Sequence, residues 1–174
     1  MRGLLIHNVS PGNVNIPLQG DFLVFLHADK VPPHLGICVQ DQFLSLKISG
    51  VEMLSQEILF RSIQLKKIPS LFLKLDVPTS GEDLLLMSKN IFNGSNSLDE
   101  NTTCLDPIKV WSRFVFSINP HGINSIHDLM PLLEEKGVLM EAYAYHLPIF
   151  PAHTYEIGYY GKSEIQARIN RLSI

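Results

Sequence analysis

The stretch Gly20-Asp21-Phe22-Leu23-Val24-Phe25, followed after a short loop by His34-Leu35-Gly36-Ile37-Cys38-Val39 and then by Asp41 and Phe43, decides the fold class. Residues 22–26 (FLVFL) form an unbroken apolar run behind a Gly-Asp pair and read as a strand. Residues 35–39 and 43–48 flank the polar turn Gln40-Asp41-Gln42 and read as a hairpin. Residues 70–77 (SLFLKLDV) add another strand, closed by Pro78. Between them, residues 54–62 read either as a short helix or as an irregular connection.

From Ser80 onward the apolar period changes to about 3.6, with Leu84, Leu85, Met87, Ile91 and Phe92 on one face, which predicts a helix. The polar stretch Asn93 to Thr103 reads as an exposed loop. A second helix is expected from Cys104 to Phe116, with Ile108, Trp111 and Val115 inward and Pro107 confined to its first turn by the missing N–H. A third ends at Gly137, capped by Ser125 or Asp128; Pro131 favours Asp128, because it then falls in the first turn. Residues 140–149 and 154–160 look extended, and Ser163 to Leu172 opens with a capping-box pattern and reads as a last helix. Strands thus dominate the first half and helices the second, an α+β class.

The chain has 174 residues, 45% of them hydrophobic and 18% charged, enough to bury one core without disulfides or metals, so a single domain over 1–174 is expected. Fourteen Lys plus Arg against seventeen Asp plus Glu leave a net charge of -3, without the basic excess that holds nucleic acid. Cys38 and Cys104 have no zinc-like spacing and are too few for a secreted disulfide scaffold. The N-terminal apolar run Gly3-Leu4-Leu5-Ile6 is broken by His7 and Asn8, and no later run is long enough to span a bilayer, so a soluble, cytoplasmic protein without an integral membrane segment is expected.

His34 and Cys104 are the residues that point to chemistry. A thiol becomes a good nucleophile when an imidazole or a helix N-terminus favours its thiolate, and Cys104 is placed at a helix start after a polar loop. His34 follows Pro32-Pro33 at the start of an apolar strand, where its ring can face that helix. Cys38, inside a strand, reads as a buried and inert thiol. His121, His127, His146 and His153 lack a nearby carboxylate pattern and read as surface or core histidines. Glu134 and Glu135 read as a solvated helix face; Phe72, Trp111, Tyr143, Tyr145, Tyr155, Tyr159 and Tyr160 read as core, with the lining of a pocket as the alternative.

The order Gly-Asp-strand, loop, His-x-Gly-Ile-x-Val, turn, aromatic strand resembles the NlpC-type papain-like thiol hydrolases. With His before Cys, it is similar to their circularly permuted branch, which includes lecithin retinol acyltransferase-like enzymes and bacterial relatives. Residues 70–77, 80–92 and Thr102-Thr103-Cys104 supply the further strand, helix and helix-opening cysteine of that branch in the same order. The resemblance covers about residues 20–116, and implies a papain-like core with an antiparallel sheet packed against helices. Residues 117–174 match no part of it and are expected as an extension packed on the core.

Carried over by position, Cys104 is the nucleophile, His34 the base and imidazolium partner, and an amide at the start of the Cys104 helix part of the oxyanion site. The resemblance implies a cysteine peptidase- or amidase-type hydrolase, or an acyl-transfer enzyme, acting on a small peptide or a lipid-linked amide or ester without metal or organic cofactor. The family's third polar residue, which orients the imidazole, falls on Leu46 in a gapless alignment. A one-residue shift offers Ser45, a weak orienting group and the candidate third catalytic residue, or Lys47, which would oppose the imidazolium. A binding module that kept this fold and lost the chemistry is the alternative.

Overall fold

The computed structural model describes residues 3–13, 18–79, 81–95, 98, 102–148 and 153–172. Its centre is a seven-stranded sheet built from β2 (Val9–Pro11), β3 (Asp21–Leu26), β4 (His34–Val39), β5 (Gln42–Lys47), β6 (Gly50–Ser55), β7 (Ser70–Leu75) and β8 (Leu139–Tyr145), in the order β2-β8-β7-β3-β4-β5-β6. Every pairing is antiparallel except β2 with β8. A two-stranded ribbon joins β1 (Leu4–Ile6) to β9 (Tyr155–Ile157). Five helices complete the chain: α1 (Gln56–Lys66), α2 (Glu82–Asn93), α3 (Leu105–Phe116), α4 (Ile126–Glu135) and α5 (Lys162–Leu172). No helix among the described residues is long and apolar enough to cross a membrane.

The sheet is covered on both faces, which is why FLVFL is apolar without alternation. Leu23, Phe25, Leu35, Ile37 and Leu73 belong to a large core with residues of α2, α3, α4 and α5. Phe22, Val24, Cys38, Phe43 and Phe72 belong to a smaller core with Leu59 and Ile63 of α1. The two sets alternate along β3, β4 and β7, as strand geometry requires.

The hairpin is held by two details. Asp21 Oδ1 accepts the Gln40 backbone N–H at 2.8 Å, fixing a turn in which Gln40 takes a positive φ of 55°. Burial raises the Asp21 pKa, and that N–H opposes the rise. Gly36 lies against Phe43, where a Cβ would stand 2.4 Å from the ring and 2.8 Å from the Leu44 carbonyl oxygen. Glycine is the residue that lets the two strands close there.

Several local expectations change. The segment expected as a helix or irregular connection over 54–62 divides between the end of β6 and the start of α1, where Ser55 accepts the Ile58 N–H at 3.3 Å. Ser125, rather than Asp128, caps α4, because Asp128 Oδ2 accepts the Ser125 backbone N–H at 2.9 Å in a capping box. Pro131 therefore lies inside α4 instead of in its first turn. Of the extended segments expected over 140–149 and 154–160, residues 139–145 and 155–157 form β8 and β9; residue 149 lies outside the described residues, as do Ser80 and much of the polar stretch 93–103. Residues beyond 116 contribute more than an added layer: β8 lies inside the sheet between β2 and β7.

Candidate active site

Helix α3 is fixed in place by its own sequence. Trp111, 1% exposed, donates from Nε1 to Ser88 Oγ of α2 at 2.9 Å, and Ile108 and Phe116 join it in the core. At its other end, Asp106 Oδ2 accepts both the Thr103 backbone N–H at 2.6 Å and the Thr103 hydroxyl at 2.8 Å, while Thr103 Oγ1 accepts the Leu105 N–H at 3.3 Å. Thr103 thus does the capping work, and Cys104, with helical φ and ψ of -63° and -15°, makes no cap hydrogen bond with its own side chain. Its thiol is left for other purposes.

Cys104 and His34 line the same cavity, of about 750 Å³, at the end of the sheet where β4 begins. The walls come from the end of β3 and the start of β4, from the end of β5 with Lys47, Ile48 and Ser49, from the end of α1 with Lys66, from Leu98 and the start of α3, and from Tyr160 to Ile169 leading into and along α5. Strand alternation puts His34 on the face shared with Gly36 and Cys38, whereas α3 covers the opposite face. The two residues meet only because the cavity opens beyond the sheet's end. His34 Nε2 is buried and has no hydrogen-bond partner, so the imidazole and the sulfur are not bonded to each other.

Both groups are neutral at pH 7. Burial pushes the Cys104 thiol up to about 11, with Asp106 adding to the rise; the Leu35 and Cys104 backbone N–H groups and the Arg168 charge oppose it. Burial pushes His34 down to about 4, helped by Lys47, Arg168 and His27 and opposed by Glu52. The exposed, activated thiol expected at the helix start is instead a half-buried, protonated one. Of the two amides that act on the sulfur, the larger influence comes from Leu35 of β4 and the smaller from Cys104 itself at the helix start, and desolvation outweighs both.

Ser45 does not line the cavity. It faces Gly36 across the ladder, is fully buried, and donates its hydroxyl to Glu52 Oε2 at 3.2 Å. Leu46 points into the opposite face, and Lys47, continuing the register, lies across from His34 and pairs with Glu52 Oε1 at 2.5 Å. Glu52 on β6 is the carboxylate that favours the His34 imidazolium, and β6 is the strand that the reading of residues 54–62 did not find. Tyr160, 2% exposed, and Arg168 complete the wall from a region the sequence left without a role. Arg168 donates to the Pro32 carbonyl, tying α5 to the loop before β4.

Cys38 is fully buried and its pKa is pushed far up by burial, the inert thiol expected. Among the other histidines, His146 Nε2 lies 3.2 Å from Gln64 Oε1, and the His127 ring sits 5.0 Å from both Tyr159 and Tyr160. No group of three or more His, Cys, Asp or Glu among the described residues is arranged to hold a metal. No protein-family model matches the chain, and no curated protein or solved structure matches it.

Proposed function

We propose that this chain is a cysteine-dependent acyl-transfer enzyme or hydrolase of the circularly permuted papain-like type, with Cys104 as nucleophile and His34 as general base. The observation that carries the reading is that two residues far apart in sequence, chosen for their chemistry, open onto one cavity at the N-terminus of α3. In the reaction, the Cys104 sulfur attacks an ester or amide carbonyl carbon while its proton passes to His34 Nε2. The resulting oxyanion is held by amide N–H groups of the first turn of α3. Collapse breaks the bond to the alcohol or amine, which leaves with the proton from His34, and a thioester remains. Water or an acceptor, deprotonated by His34, then releases the acyl group and restores the thiol.

A second reading, a binding module of the same fold without chemistry, is favoured by one observation: in the ligand-free cavity a thiol near 11 faces an imidazole near 4, and proton transfer between them is uphill by several pKa units. Enzyme catalysis here requires the bound substrate to offset the burial that lowers His34 and raises Cys104, and the smaller effect of Lys47 and Arg168 on His34. Because the free thiol is protonated on either reading, its alkylation at neutral pH is slow on both. Acyl-enzyme formation is what separates them.

Incubation with a panel of activated acyl esters and amides, followed by intact-mass measurement, should show one acyl group added at Cys104. Cys104→Ala should abolish the adduct, and His34→Ala should slow its formation by about a hundredfold. Equal acylation of the wild type, Cys104→Ala and His34→Ala proteins would sink the enzyme reading, and absence of any adduct across the panel would favour the binding module.

A further inference from the structure

We propose that the cavity selects a free single-chain ligand with an apolar chain and an anionic end, carboxylate or phosphate, whose charge is answered by Arg168 and Lys66. This deepens the acyl-transfer reading and rests on it only for where the reacting bond would lie. The chain carries more acidic than basic residues, 17 against 14, yet among the described residues none that lines the cavity is Asp or Glu, while Lys47, Lys66 and Arg168 all line it.

The cations are not equally engaged. Lys47 is paired with Glu52, whereas neither Lys66 nor Arg168 has a carboxylate partner among the described residues. The Arg168 guanidinium has one of its five donors on the Pro32 carbonyl, leaving others to meet a planar anion. A buried polar atom in the same cavity, His34 Nε2, is also without a partner. The remaining wall is aliphatic, with Leu26, Ile48, Ile68, Leu105, Ile165 and Ile169 giving an alkyl chain its surface. The volume of about 750 Å³ falls within the range of roughly 300–1,000 Å³ usual for small-molecule sites.

The test uses Cys104→Ser protein, so that binding is read without turnover, and four probes of one chain length: decanoate, decyl phosphate, decanol and decylammonium. Titration calorimetry should give dissociation constants at least about tenfold lower for the two anions than for the alcohol or the amine, weakening with added salt. Lys66→Gln, at an exposed helix end, and Arg168→Gln should each lower the ratio of anion to decanol affinity, and Arg168→Lys should retain part of it. Equal binding of all four probes, or a preference for anions that survives both neutral substitutions, would overturn the proposal. Anion-selective binding without acylation of wild-type Cys104 would remove the enzyme reading and leave this inference standing. Acylation of Cys104 by neutral donors with no charge preference would do the reverse.

Discussion

The two ends of β4 share one strand and one pleated face, yet they differ in nearly every respect that matters to chemistry. At the Cys38 end, Phe22 and Phe43 pack around a fully buried sulfur, and Asp21 ties the following turn to β3. At the His34 end the ladder to β5 has already stopped, an imidazole nitrogen is unpartnered, and cations from α1, β5 and α5 converge. The lesson is that the residue type alone does not make a site. Cys38 and Cys104 both have raised pKa values from desolvation, but only Cys104 borders space in which another molecule can sit.

The contrast can be broken most forcefully in the middle of the strand. Gly36→Val should collide with Phe43 and with the Leu44 carbonyl, a backbone atom that cannot swing aside. A loss of about 3 kcal/mol or more in urea unfolding is expected, since overpacking and a displaced strand act together. Unchanged stability would mean that β4 and β5 are not in this register.

The open end has its own acid signature. His34 binds a proton less tightly when folded, with a pKa of about 4 against about 6.5 for an unfolded histidine, so the unfolded state holds the extra proton between those values. Stability contributed by the neutral ring is therefore complete above about pH 6.5 and is lost as pH falls toward about 4, by up to about 3 kcal/mol. Urea titrations across that window should show the loss, and His34→Gln should flatten it. An identical slope in the variant would place the titration elsewhere.

The smallest effect sharpens the comparison of the two thiols. Cys38→Ser places a hydroxyl among the buried side chains of Phe22 and Phe43 and should cost about 2 kcal/mol, whereas Cys104→Ser, bordering the cavity, should cost less than about 1 kcal/mol. Equal costs, read from thermal or urea midpoints, would erase the distinction.

Much of the central architecture was readable from local pattern. The run Phe22 to Leu26, the hairpin with its Gln40-Asp41-Gln42 turn, the helical period after Ser80 and the helix start at Cys104 each carry their signal within a dozen residues. What escaped depends on distant partners. β1 and β2 are three residues each and exist because β9 and β8 pair with them from the other end of the chain. β6 (GVEMLS) is a half-exposed edge strand with weak alternation, and without it neither Glu52 nor the engagement of Ser45 could be seen. At α4 two local signals compete, proline in a first turn and the Ser125–Asp128 box, and the box prevails because it satisfies the Ser125 backbone N–H. Of the cavity's far wall, Tyr160 is legible only as one of seven aromatics that fit a core or a pocket, and Arg168 has no motif in common with His34 or Cys104.

The docking of β2 on β8, parallel, and of β1 on β9, antiparallel, has a consequence for biosynthesis. As the polypeptide leaves the ribosome, its first segment must wait, without a neighbour, until the strands near residues 139–157 have been translated. The hairpin and α3 can assemble earlier, so sulfur and imidazole are in place while the side later closed by Tyr160 and Arg168 still faces solvent. Selectivity for what enters is thus acquired last, when α5 arrives to roof a pocket that the earlier elements have already floored.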